Sequence, residues 1–68
     1  MKAIYHLQSG SRDTWEIKKE GAAQATRTFD TKEDAYQFGR NLCDSNRPSE
    51  LIIHQLNGQI EDRSVYNS

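Results

Sequence analysis

The sequence predicts a small α+β domain in the order β-β-β-α-β-β, with one helix packed on an antiparallel sheet. Three observations predict it. Thr14–Lys19 alternates apolar and charged residues with period two, the mark of a half-buried strand. Ala35, Phe38, Leu42 and Cys43 fall at i, i+3, i+7 and i+8, which makes one helical stripe. Asn57-Gly58 separates two β-rich runs and is the strongest short hairpin signal, because a type I′ turn needs positive φ at both central residues.

The elements follow in order. Residues 3–7 (Ala-Ile-Tyr-His-Leu) read as a first strand, and the polar, glycine-containing stretch 8–13 as a turn. Thr14–Lys19 is the second strand, with Trp15 and Ile17 on one face. Residues 20–24 turn, and the β-rich run Ala25–Phe29 is the third strand. Thr31 caps the helix, and Thr31 to Asp34 has capping-box spacing with Asp in place of the preferred Glu or Gln. Glu33 and Asp34 suit the positive end of the helix dipole. Gly39 stands mid-helix at a cost of about 1 kcal/mol against Ala, which a close approach of the helix to the sheet accounts for. Pro48 disfavours helix at Arg47, so the helix ends over residues 44–48. Leu51–Leu56 and Gln59 to about Val65 are the last two strands, and Tyr66, Asn67 and Ser68 are expected to fray.

Length and composition exclude much. A chain of 68 residues is one domain, with an ordered core expected over 3–66. The longest aliphatic run is Leu51-Ile52-Ile53, far short of the roughly 20 apolar residues of a spanning helix. The N-terminus lacks the pattern of a secretory signal and the single cysteine suits a reducing compartment, so the chain reads as cytoplasmic. A net charge of -1 gives no general pull toward nucleic acid. Only 34% of residues are hydrophobic, and so small a domain buries about 60% of its unfolded surface. Disulfides, a metal or a partner chain are the usual compensation. Cys43 alone forms no internal disulfide and no metal-ligand spacing is present, so no cofactor is expected and self-association is the compensation to seek.

A two-residue turn at Asn57-Gly58 would set Leu56 opposite Gln59, Gln55 opposite Ile60, His54 opposite Glu61 and Ile52 opposite Arg63. Leu51, Ile53 and Ile60 then share the helix face. Ile52, His54, Leu56 and Val65 share the other, and these four are the candidate surface of a homodimer or for another protein partner.

The order of motifs resembles a known family. Trp15-Glu16-Ile17-Lys18-Lys19-Glu20-Gly21-Ala22 is followed by Ala25, Phe29 and Thr31-Lys32-Glu33-Asp34-Ala35. Leu51-Ile52-Ile53-His54 then leads into Asn57-Gly58-Gln59-Ile60, with Arg63-Ser64 just before Tyr66. Over residues 5–66 this resembles the small prokaryotic domain of unknown function 2188. The resemblance implies the fold and a bacterial, archaeal or phage setting, and it implies no activity. Residues 15–42 are also similar to the arm-type DNA-binding domains of phage integrases, which insert a sheet into the major groove.

Each candidate site has a plainer reading beside it. Trp15 and Phe29 read as core aromatics ahead of stacking platforms. Arg12, Lys18, Lys19 and Arg27 are candidate phosphate contacts for the alternative, nucleic-acid-binding function, but Asp13, Glu16 and Glu20 interleave with them. His54 with Glu61 reads as a cross-strand pair rather than a proton shuttle. His6 with Cys43 or His54 matches no metal motif, and Cys43 on the apolar stripe reads as a buried, inert thiol. Without a convergent catalytic set, the expectation is a non-enzymatic binding or accessory module, self-associating through its sheet.

Overall fold

The computed structural model describes residues 2–67. Among them the elements come in the predicted order: β1 Ala3–Ser9, β2 Trp15–Lys19, β3 Arg27–Phe29, α1 Lys32–Ser45, β4 Ser49–His54 and β5 Ile60–Tyr66. The helix begins as its sequence dictates. Thr31 is extended, and its Oγ1 accepts from the Asp34 amide at 3.1 Å. At the other end no glycine cap is used. Asn46 Nδ2 donates to the Leu42 carbonyl and the buried Ser49 hydroxyl donates to that of Cys43, both at 2.7 Å.

The sheet order is β3-β2-β1-β4-β5. The expected all-antiparallel sheet is in fact mixed, since β1 and β4 run parallel. The cause is topological. Two hairpins bring β3 back parallel to β1. The helix then crosses the sheet and returns the chain in the same direction, as a β-α-β crossover must. β4 therefore enters beside β1 with Tyr5 opposite Leu51 and His6 opposite Ile52.

One sheet face carries Tyr5, Leu7, Ile17, Leu51 and Ile53, all buried against Ala35 and Cys43 of α1. Trp15, Phe29, Phe38, Leu42 and Tyr66 pack around them. The deepest part of the helix stripe is the small-residue seam Ala35, Gly39 and Cys43. A Cβ on Gly39 would lie 3.0–3.1 Å from Ile17 Cδ1 and both Leu51 Cδ atoms, so the glycine is what lets α1 approach the sheet this closely.

The type I′ turn expected at Asn57-Gly58 forms instead in the β1–β2 connection. The β1–β2 connection places Arg12 and Asp13 both at positive φ, with the Thr14 amide donating to the Ser11 carbonyl, as a type I′ turn requires. At the second hairpin only Gly58 has positive φ, and its amide donates to the Gln55 carbonyl. That is a turn closed by a glycine bulge. The extra residue of the turn shifts the register by one, and a bulge at Glu61, between the Ile53–Asp62 and His54–Ile60 pairs, shifts it back. Ile52 does face Arg63, but His54 faces Ile60 instead of Glu61. Ile60 thereby leaves the helix face for the opposite one. Glu61 turns to Lys32 at the start of α1, at 2.6 Å.

The C-terminal strand is also better held than expected. Tyr66 pairs with Ser49 and is half-buried, the Arg47 guanidinium lies 5.4 Å from its ring centroid, and Arg47 donates to the Asn67 carbonyl. Ser68 of the predicted frayed end lies outside the described residues.

Candidate interaction surface

Because α1 lies against one face of the sheet, the other face has no helix over it. Alternation along the strands decides what it displays. Across its middle run Arg63, Ile52, His6 and Lys18; across one end run Val65, Glu50 and Ile4. The apolar residues expected here do not behave alike. Ile52 is only 7% exposed, because cross-strand neighbours His6 and Arg63 flank it. Leu56 (75%), Ile60 (56%) and Val65 (51%) stay exposed. The candidate surface therefore shifts outward, away from Ile52 and toward the β4–β5 hairpin and the β5 edge, with Ile60 added.

Two polar networks cross this face. In the first, the buried Glu50 carboxylate takes Lys2 Nζ at 2.6 Å and Arg63 Nε at 2.8 Å. The hydrogen bond from Lys2, joined by the positive charges of Lys2 and Arg63, holds its pKa below the ordinary carboxylate value against the opposing effect of burial. The second joins His54 to His6, Nε2 to Nδ1, at 2.9 Å. His6 Nε2 reaches Glu20 at 3.0 Å, and His54 Nδ1 reaches the Gly58 carbonyl at 3.0 Å. The expected His54–Glu61 pair is absent, and its place is taken by this longer chain of bonds.

The shared face of the two histidines is within reach of sequence reasoning, their pairing is not. Each histidine alternates with core residues, His6 with Tyr5 and Leu7 and His54 with Ile53, so both fall on the uncovered face. The missing step was the parallel β1–β4 pairing. Cys43 is remote from them, fully buried under the helix face. Burial pushes its thiol pKa up, partly offset by a hydrogen bond with Ser49.

The four basic candidates are dispersed. Lys18 shares the uncovered face with His6, whereas Lys19 and Arg27 point to the helix face. Arg27 stacks there over Phe29 and Phe38, at 5.4 and 5.5 Å from their ring centroids. Arg12 stands in the β1–β2 turn. On the helix side, Lys32 lies 5.1 Å from the Trp15 ring centroid, so Trp15 is a half-buried flank of the core. Among the described residues no three or more His, Cys, Asp or Glu side chains are placed to hold a metal ion. No helix among them is long and apolar enough to cross a membrane.

These features define a class: a small α+β domain with one helix on a five-stranded mixed sheet whose second face bears hydrogen-bonded polar networks and a free edge strand. The chain belongs to the family described as uncharacterized proteins conserved in bacteria (DUF2188), which matches residues 5–66, nearly all of it. No curated protein and no solved structure matched the chain.

Proposed function

We propose that the protein is a non-catalytic binding module that pairs with a second copy of itself through the free edge of β5 and the adjoining uncovered face. The observation that carries the reading is the contrast between the two sheet edges. β3 at one edge has 3 residues, whereas β5 at the other has 7 and is exposed along most of its length. Very short edges resist pairing, while long exposed ones are templates for another strand. Charges normally guard such an edge. Here Arg63 is neutralised by Glu50 and Glu61 by Lys32 within the chain, and the remaining charge, Asp62, lies opposite Ile53 on the helix face, away from the uncovered one. Ile60 and Val65 remain exposed on the same strand. A two-fold axis normal to the sheet would pair β5 antiparallel with its copy and continue one sheet through both subunits.

Size-exclusion chromatography with light scattering over a concentration series tests this. The expected result is a mass rising from 7.8 kDa toward twice that value, with Val65→Glu holding the monomer. A wild-type monomer at every concentration refutes it. Duplex DNA binding that weakens steeply with added salt would favour the nucleic-acid alternative instead.

A further inference from the structure

We propose that His6 and His54 share one bridging proton between the Glu20 carboxylate and the Gly58 carbonyl, and that this proton clasps three strands and the β4–β5 turn within a bounded pH range. The bonding pattern requires it. The Gly58 carbonyl can only accept, so His54 Nδ1 carries a hydrogen. Ionised Glu20 can only accept, so His6 Nε2 carries another. The contact between the rings needs a third. Two neutral imidazoles bring one hydrogen each, so the pair holds one extra proton, balanced by Glu20. Writing that proton on the carboxyl instead leaves the same total: Glu20, His6 and His54 together are neutral when all three bonds are made.

The geometry suits a proton. The ring centroids are 5.2 Å apart while the facing nitrogens are 2.9 Å apart, so the rings meet end to end along their nitrogen lone pairs. A shared metal ion would need two lone pairs converging at an angle. Glu20 is also the carboxylate left to serve the pair. Glu16 accepts from Gln8, and Glu50 is taken by Lys2 and Arg63. Lys18 lies beside His6 on β2, and Lys19, at the end of that strand, borders the shallow cavity that holds both histidines and Glu20, while α1 lies on the far side of the sheet.

The clasp fails on both sides of its range. Removing a proton leaves two acceptors facing each other at one of the three contacts. Adding one leaves two N–H groups facing each other between the rings. A break between the rings or at the Gly58 carbonyl frees the β4–β5 turn from β1, since His54 ends β4 and links the two.

The test is a trans-hydrogen-bond 15N–15N coupling between His6 Nδ1 and His54 Nε2 in histidine-labelled protein, followed against pH at a dilution that keeps the chain monomeric. The expected coupling is present in a middle range and absent above and below it. Exchange of the amides of residues 58 and 59 should rise roughly tenfold at both ends, as loss of one charged hydrogen bond in a locally opening turn gives. In Glu20→Gln, whose site is the exposed turn residue just after β2, the upper edge of the range should move to lower pH because the counter-charge is gone. Absence of coupling at every pH, or an unmoved range in Glu20→Gln, overturns the proposal.

Discussion

Replacing Gly39 by alanine sets two effects of opposite sign against each other. In a solvent-facing helix the change would stabilise by about 1 kcal/mol through helix propensity. At Gly39 the new methyl would meet Ile17 Cδ1 at 3.0 Å and both Leu51 Cδ atoms at 3.1 Å. Each neighbour must retreat by a few tenths of an ångström. Ile17 and Leu51 are both fully buried and have little room to do so. Overpacking of a filled core costs about 1–3 kcal/mol, so the net expectation is a destabilisation of about 1 kcal/mol. Urea denaturation followed by circular dichroism reads it as a lower midpoint at unchanged slope. Ile17→Val removes one of the three clashing atoms. In the Ile17→Val/Gly39→Ala double variant, the alanine should therefore cost less than it does alone. A Gly39→Ala protein more stable than wild type, or strict additivity in the double variant, would refute the close-approach argument.

Three further outcomes are expected. The lowered pKa of Glu50 means that its ion pairs stabilise the fold above the ordinary carboxylate range and stop doing so as pH falls through the lowered folded value. Glu50→Gln should therefore flatten the acid limb of stability against pH, by about 1 kcal/mol because both cationic partners are half in water. Cys43, buried and with its thiol pKa raised, should react with a disulfide reagent in the native protein only as fast as the protein opens, and at once in denaturant. Arg12→Asn should stabilise by up to about 1 kcal/mol, part of the ~1–2 kcal/mol that a left-handed residue with a side chain costs; thermal melting reads it. Arg12 is the better of the two turn positions to change, since Asp tolerates this conformation more readily than Arg.

What was legible in the sequence was local. The Thr31 cap, the stripe through Ala35 and Cys43, and the alternation around Ile17 depend on neighbours within a turn or two. Each appears where its spacing puts it. What escaped depends on partners far along the chain. Nothing in either strand alone says that β1 and β4 run parallel, so the pairing of His6 with His54, 48 residues apart, could not be read from spacing. The Asn57-Gly58 signal identified a hairpin but not its turn. One extra residue in the turn and a compensating bulge at Glu61 move Ile60 across the sheet and send Glu61 to Lys32. Alternation puts Ile52 on the uncovered face but says nothing of its burial, because its cover comes from side chains on two neighbouring strands.

The free edge of β5 is the centre of the functional reading, and its backbone amides report on it directly. Hydrogen exchange across β5, measured at concentrations from dilute to crowded, compares the same amides with and without a partner strand. Pairing between copies predicts that the outward-facing amides of residues 60–66 gain protection as concentration rises, while those of β3 at the opposite edge do not change. Exchange along β5 that is fast and independent of concentration would contradict it.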